Sequence, residues 1–461
     1  MFDREIEIET LIDAVNSGKA ELVIIYGRRR LGKTTLVHEL LRRVNNGIYL
    51  FTPHGDISEI ILFFSEEIRN RTKDIVQFAD WRDFLEYLKL KSKERFIVII
   101  DEFQRIAYSY KPAMSLLQHY WDSYLSKSKI VLILVGSVVG MIERIALSGN
   151  APLFGRMTRE IKLDMIPYII TRNYWEKYSE EKKIEAYGFF GGTPGYFTLV
   201  DDNKSVLDNV EELILSPNAR LAREPESLLS EETRTPATYM SILSQLSRSG
   251  RGLPLSKIKV RKGTPTSYLR TLNKMNLVEK IVSLAQGDTL YTIADEFFRF
   301  WFFFIYPRQN LIELKQGHLI RKIIEKNKDI YLSVTFEKIL RELILFSSGR
   351  RIANIDIPII DKIGSYWWKN LEVDVCAISS DTVIVGEAKW QNKTITAEDA
   401  RNFIKKMELI KENMKKKKAI GFFATKSDFS KVAEDILSDN TVLINLENLP
   451  DILNSLRYSQ R

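Results

Sequence analysis

At 461 residues the chain is long enough for three or four domains rather than one core. It carries 68 Lys and Arg against 60 Asp and Glu, a net charge of +8, which is compatible with a polyanionic partner. The single Cys376 excludes an intramolecular disulfide, and only four histidines leave little material for a zinc site. With no leader-like segment, these features set the expectation of a cytoplasmic protein.

The first element is the run Leu22 to Thr35, LVIIYGRRRLGKTT, in which a buried strand meets Gly27, Arg28, Arg29, Arg30, Leu31, Gly32, Lys33, Thr34 and Thr35. This is the phosphate-binding loop G-x-x-x-x-G-K-T in its strand–loop–helix setting. Glycines free the backbone to wrap a phosphate, and the following helix aims its N-terminal amides at the anion. Lys33 would reach the β- and γ-phosphates of ATP, and the Thr34 hydroxyl would ligate Mg²⁺.

A second strand, FIVIIDE, is near-continuously apolar and ends in Asp101 and Glu102. Such a run marks a parallel sheet covered on both faces, whose carboxyl ends are where ligands bind. Asp101 suits a Mg²⁺ contact, and Glu102 suits a base that polarises the attacking water. A third strand, IVLILVGS, ends at Ser137, which either senses the γ-phosphate or caps the following turn. The apolar stretches Ile130–Ile142 and Phe297–Pro307 fall short of the ~20 residues a membrane span needs, so no membrane partner is expected.

Phe2, Arg4, Glu5 and Glu7, with YGRRRLGKTTL, IDEFQ, APLFGR and GGTPGY in that order, resemble the motifs of archaeal-type ATPases of the AAA+/STAND class. The resemblance implies a five-stranded P-loop core and a small helical lid. It also implies that Phe2 and Arg4 lie near the adenine and that Pro194 packs over the base. Arg156 would approach the phosphates, in cis or from a neighbouring subunit, which leaves a homo-oligomer open. Read from the residues alone, Arg156 is equally an ordinary salt bridge, and Gly191, Gly192 and Pro194 a turn between helices.

From about Pro236 the pattern changes to short helices. Tyr239, Ile242, Leu243 and Leu246 recur at helical spacing, a short helical segment spans Leu255 to Val260, and Thr264–Pro265 reads as an N-cap and N1 pair. VEKIVSLAQGDTLYTI reads as a hairpin with Gln286, Gly287 and Asp288 at its tip. Helix, helix, helix, hairpin is the winged-helix order. Arg261, Lys262, Arg270 and Lys274 would contact DNA phosphates, or the unit packs between domains.

The segment LEVDVCAISSDTVIVGEAKW reads as two strands joined at Ser379–Asp381. The period of two puts Glu372, Asp374 and Cys376 on one face and makes Glu387 and Lys389 co-facial, so the hairpin would gather Asp374, Glu387 and Lys389. That trio is similar to the core of the PD-(D/E)xK nuclease superfamily, and Glu337 on the preceding helix resembles the acidic residue that often completes it. SYWWKNLEVD and GEAKW also look like the domain of unknown function commonly fused to this ATPase family. The proline expected before the metal-binding Asp is absent. Asp374, Glu387 and Glu337 would hold Mg²⁺ or Mn²⁺, and Lys389 would orient a water or steady the phosphorane. Trp367 and Trp368 either stack on bases or divide between core and seam. Lys415 to Lys418 read as a solvated helix end or a phosphate track.

The expected architecture is therefore α/β. It comprises a P-loop parallel-sheet ATPase core over 1–165, a helical lid over 166–232 and a winged helix-turn-helix over 233–310. A connecting helix over 311–330 and a C-terminal α/β restriction-endonuclease-like domain over 331–461 complete it. The charged stretches Tyr178–Lys183 and Glu325–Lys328 are expected to be exposed connectors or helix faces. The function expected is an ATP-regulated, metal-dependent nuclease acting on DNA. A STAND-type switch with a non-cleaving C-terminal domain, and a DNA-translocating motor, stand as alternatives.

Overall fold

Five runs of the first half become strands in a computed structural model: β1 (Glu21–Tyr26), β2 (Gly47–Phe51), β3 (Phe96–Asp101), β4 (Ile130–Gly136) and β5 (Arg159–Lys162). The structure describes residues 4–44, 47–72, 74–285 and 289–457. All five strands are parallel, in the order β2-β3-β4-β1-β5. β1, β3 and β4 are buried along their whole length, which is why their sequences are continuous rather than alternating. Val23, Ile25 and Ile99 pack on Leu36, Val37 and Leu40 of the helix Lys33–Arg43. Leu22, Val98 and Ile100 face the other way, onto Phe64, Phe84 and Trp121. Because the strands run one way, Gly27, Asp101 and Ser137 all emerge at one edge of the sheet.

These strands belong to the first of two compact units, Met1–Met165 with Glu231–Arg234. The second comprises Ile166–Ser230 and Thr235–Arg461. Its helical part is centred on the aromatic run after Asp295, where the helix Glu296–Phe300 widens into a π turn over Trp301–Ile305. Phe297, Phe300, Trp301 and Ile305 are fully buried, and Trp301 Nε1 donates to Ala222 O at 2.9 Å. The run is core. The stretch Tyr178–Lys183 is not wholly exposed as expected: Tyr178 and Glu180 are buried. Arg172 donates to both Glu180 oxygens at 2.8 and 2.7 Å, and Tyr168 donates a third bond at 2.6 Å. Burial of a charge is tolerable when its lone pairs are satisfied in this way.

The helices Pro236–Ser247 and Pro265–Lys274 accompany a small sheet of β6 (Leu253–Pro254), β7 (Val278–Ile281) and β8 (Leu290–Ile293), ordered β6-β8-β7. Only Leu255–Lys257 of the expected segment Leu255–Val260 is helical, as one 3₁₀ turn. Pro265 does open its helix, but the Thr264 side chain makes no capping bond. The hairpin tip at 286–288 lies outside the described residues.

The helix Gly317–Phe346 runs unbroken for 30 residues. The boundary expected at 330/331 thus falls inside one helix, whose interior holds no proline or glycine to stop it. After it come a short ribbon, β9 (Arg351–Ile352) and β10 (Ile355–Asp356), and then β11 (Lys362–Trp368), β12 (Leu371–Ile378), β13 (Thr382–Lys389), β14 (Lys418–Thr425) and β15 (Thr441–Ile444). The last five form one sheet in sequence order, antiparallel at β11-β12-β13 and parallel at β13-β14-β15. The long helix lies directly on it: a Cβ at Gly386 would meet Ile344 Cδ1 at 2.9 Å and Val375 Cβ at 3.0 Å. The helix Ala397–Asn413 covers the opposite face through Phe403 and Met407.

The chain leaving β7 adds to the free edge of β11. Ser283 bridges Ser365, Leu284 N–H donates to Ser365 O at 2.9 Å, and Ser283 Oγ donates to Trp367 O at 3.1 Å. Gly364 permits the approach, because a Cβ there would sit 2.5 Å from Val282 O. The chain just beyond β7 therefore covers a sheet edge, while β7 itself stays paired with β8.

Candidate functional site

The loop between β1 and the helix Lys33–Arg43 requires its two terminal glycines. Gly32 is the N-cap residue at φ +90°, in the left-handed region, and a Cβ on Gly27 would press on Leu163 O at 2.6 Å. Lys33 Nζ donates to Gly27 O at 2.7 Å and Arg28 O at 2.9 Å, so the loop closes on its own lysine. Burial pulls Lys33 down to about 8, against the opposing charges of Glu102 and Asp101. Arg28 and Leu31 are buried, Arg30 is at φ +67°, and Arg29 pairs with Glu231. Thr35 is exposed on the first turn of the helix.

The carboxylates stand where the strands end. Thr34 Oγ1 donates to Asp101 Oδ2 at 2.9 Å, and Tyr49 OH donates to the same oxygen at 2.8 Å. A hydroxyl and a carboxylate in contact beside a phosphate loop fit a hard Mg²⁺. Glu102 sits at φ +55°, an unfavourable conformation for a residue with a Cβ, and its N–H donates to Asp101 Oδ1 at 2.9 Å. That backbone aims its side chain at Ser137, whose Oγ donates to Glu102 Oε1 at 2.6 Å, while Gln104 Nε2 donates to the other oxygen. Ser137 thus orients the carboxylate rather than capping a turn.

The residues carried by resemblance distribute differently. Phe2 lies outside the described residues. Arg4 is buried and donates to Asp164 O and Leu31 O, bracing the loop from behind. Arg156 is held by Asp122, with bonds of 2.8, 3.1 and 2.8 Å. In this structure it makes the ordinary salt bridge that its residue type allowed. Pro194 opens the short helix Pro194–Phe197, and a Cβ on Gly192 would overlap Ile166 O.

One carboxylate at the nucleotide site escaped sequence reasoning. Glu232 is pushed up to about 7 by burial, against the pull of Lys33 and the Val139 N–H. The Glu231–Glu232 pair carries no motif or periodicity that would mark it.

In the second unit the expected trio is only partly assembled on one face. Between the pairs Gly364↔Cys376 and Tyr366↔Val373 the register shifts, which inserts one extra residue into β12 at Asp374–Val375. The bulge breaks the period of two: Val373 and Cys376 pack together toward Phe403, whereas Val375 and Ala377 face Leu340 and Ile344. The β12-β13 pairing ends at Val375↔Gly386, and there Asp374 Oδ2 accepts the Ala388 N–H at 2.9 Å in place of a ladder bond. Asp374 and Glu337 line a cleft of about 630 Å³ together with Arg251, Lys257, Arg341 and Trp367. Glu387 and Lys389 line a second, of about 380 Å³, beside Lys406. The four expected residues straddle the end of the ladder from its two sides.

Their electrostatics are linked. Burial and the charge of Glu387 raise Asp374, and burial and the charge of Asp374 raise Glu337. Burial opposes the charge on Lys389, but Glu387 outweighs it and the lysine is raised. Carboxylate oxygens are suitable donors for Mg²⁺ or Mn²⁺. Among the described residues, however, no three acidic, His or Cys side chains are gathered closely enough to form a ready metal cage. Trp368 is exposed, Trp367 is partly buried, and Lys416 Nζ donates to Ser379 O at 2.6 Å.

Residues 1–200 match an ATPase domain found predominantly in Archaea. Residues 301–403 match a family of archaeal and bacterial proteins of unknown function. The chain thus resembles an archaeal-type ATPase domain over residues 1–200 and that second family over residues 301–403. It is 28% identical over 402 residues to the uncharacterized protein MJECL04 of Methanocaldococcus jannaschii, covering 85% of this chain and 87% of that one. It is 25% identical over 272 residues to the uncharacterized ATP-binding protein PH0541 of Pyrococcus horikoshii, covering 50% and 83%. Among solved structures, the Walker-type ATPase PABY2304 of Pyrococcus abyssi is 20% identical with a TM-score of 0.48, over 66% of this chain and 96% of that one. No helix of the described residues is long and apolar enough to cross a membrane.

Proposed function

We propose that the chain binds and hydrolyses ATP and uses that cycle to regulate a metal-dependent nuclease site acting on DNA. The ATPase part is supported by one cluster: Lys33 on its loop, Thr34 against Asp101, and Glu102 steered by Ser137 and Gln104. Lys33 would leave the Gly27 and Arg28 carbonyls for the β- and γ-phosphates, and Glu102 would orient the attacking water. Mg²⁺ at Thr34 and Asp101 would neutralise phosphate charge. Phe2, Arg4 and Pro194 remain the proposed base contacts, and Arg156 the proposed phosphate contact, once Asp122 releases it.

The nuclease part is supported by the helix–three-strand–helix–strand order around Glu337, Asp374, Glu387 and Lys389. Along the chain, 1–165 would serve as the ATPase core, 166–232 as a lid, 233–310 as a winged helix, 311–330 as a connecting helix and 331–461 as the nuclease-like domain. A divalent metal would activate water there, and Asp374 and Glu387 would hold it. Arg251 and Lys257 would draw the DNA backbone into the larger cleft.

A second reading, a STAND-type switch whose C-terminal region binds without cutting, is favoured by Ser283 and Leu284, at the root of the expected wing tip, being occupied on β11. Cleavage of duplex, single-stranded and branched DNA with Mg²⁺ or Mn²⁺ separates the two. Wild type should cut, Asp374→Ala and Lys389→Ala should not, and Lys33→Ala should lose the dependence on ATP. Cleavage surviving Asp374→Ala removes the nuclease mechanism. No cleavage under any metal, with nucleotide-dependent oligomerisation, establishes the switch.

A further inference from the structure

The larger cleft of the second unit has walls of two different chemistries. One is Trp367, near the end of β11, which lines the space and has no aromatic ring against it among the described residues. Its backbone is fixed by a single hydroxyl: Trp367 N–H donates to Ser283 Oγ at 3.3 Å, and Ser283 Oγ donates to Trp367 O at 3.1 Å. The ring is thus a platform set before any ligand arrives, which lowers the entropy lost on binding.

The other wall is cationic. Arg341, from the helix Gly317–Phe346, offers five N–H donors and finds little to accept them. Its Nη2 reaches Ser365 Oγ only at 3.4 Å, Nη1 lies 3.9 Å from Glu279, and Nε is buried with no acceptor among the described residues. Lys257 lines the same cleft with an exposed side chain. Arg251 joins from a turn that Gly252 makes possible, since φ is +90° there and a Cβ would lie 2.7 Å from Tyr291 O. Arg251 is already paired with Glu372, the residue opposite Trp367 in the β11–β12 ladder, so an incoming anion competes with that carboxylate for it. Arg341 is the cation with donors to spare.

An aromatic face beside such cations is complementary to a base joined to a phosphate. Size narrows the ligand further, because about 630 Å³ lies within the range of sites that enclose one small molecule. A duplex cannot use the platform: its base faces are hidden in the stack, and only base edges reach the grooves. An unpaired nucleotide presents both its face and its phosphate, and the planar fork of Arg341 can meet two phosphate oxygens at once.

We propose that this cleft binds one nucleoside-phosphate unit, with the base on Trp367 and the phosphate on Arg341 and Lys257. An unpaired residue of a DNA strand and a free mononucleotide share this chemistry. The proposal deepens the DNA reading of the cleft, on which its strand form rests, and requires neither a metal nor cleavage. Its consequence for that reading is a preference for unpaired DNA over duplex.

The test is fluorescence anisotropy with the full chain, in chelator and without ATP. Four labelled ligands are compared: a single strand, the duplex of the same sequence, a strand of abasic residues, and a deoxynucleoside monophosphate. Wild type should bind the single strand about tenfold tighter than the duplex or the abasic strand, the scale of one stacked base. Trp367→Ala should lose that tenfold and leave abasic binding unchanged, which also shows the cleft still folded, and Trp367→Phe should keep most of it. Arg341→Met should weaken the intact and abasic strands alike, with Arg341→Lys restoring only part. Trp367-dependent binding of the monophosphate but of no strand would identify a free nucleotide as the ligand and end the DNA reading; the reverse would identify the strand. Equal binding of duplex and single strand, or Trp367→Ala matching wild type on the intact strand, overturns the proposal and leaves the DNA reading standing. No binding of any of the four overturns both.

Discussion

Burial holds Lys33 down to about 8, so ATP binding should weaken as the medium becomes alkaline. The phosphates need the ammonium form, and a phosphate's own last proton has already left near pH ~6. With a value of about 8, roughly nine-tenths of the free protein carries the proton at pH 7 and about one-tenth at pH 9. The sign follows: affinity falls as pH rises through 8, by about tenfold between 7 and 9, or ~1.4 kcal/mol. Lys33→Arg remains charged throughout and should lack this component. The measurement is a titration with a fluorescent ATP analogue at constant ionic strength, comparing the slopes of the two proteins. Parallel profiles, or a flat wild-type profile, would refute the claim that burial depresses Lys33.

Four further outcomes are expected. Glu232→Gln should move the midpoint of that pH profile to lower pH in the same titration, because the Glu232 charge helps hold the proton on Lys33; an unmoved midpoint would refute the pairing. Glu102→Gln should slow hydrolysis by ~10²–10⁴-fold while keeping ATP bound, as measured by phosphate release and equilibrium binding; full activity would unseat Glu102 as the base. Glu342, partly buried, is pushed up to about 7 by burial although it accepts bonds from Tyr168 N–H and Tyr187 OH. Its folded value lies above the usual one, so its contribution is present below pH ~4.5 and lost as pH rises through 7, up to ~3 kcal/mol; Glu342→Gln should raise the melting temperature at pH 8 but not at pH 4.5. Glu180→Ala should cost ~3–5 kcal/mol by leaving Arg172 buried without its bidentate partner, seen as a lower melting temperature.

Much of this protein was legible along the chain. The phosphate loop, the two carboxylates after β3 and the hairpin at Ser379–Asp381 are local patterns, and the backbone chemistry that makes them operates over a few residues. The helix that carries Glu337 was also legible, but its extent was not, because a charged surface segment such as Glu325–Lys328 looks alike within a helix or at its end.

What the sequence determined by itself is which groups exist and how each sits on its own strand or helix. Only the tertiary structure decided which groups meet. Alternation placed Asp374, Glu387 and Lys389 together, yet the extra residue in β12 is defined only against β11, a different segment, and it turned Asp374 toward Glu337. Lys406 reaches Glu387 from 19 residues away, and Glu232 comes to lie beside Lys33 across most of the first half of the chain. Pairing of charges at such separations depends on packing of apolar faces, which no local spacing records. The placing of Ser283 and Leu284 on β11 has the same cause: a sheet edge is open or covered only once another segment has folded against it.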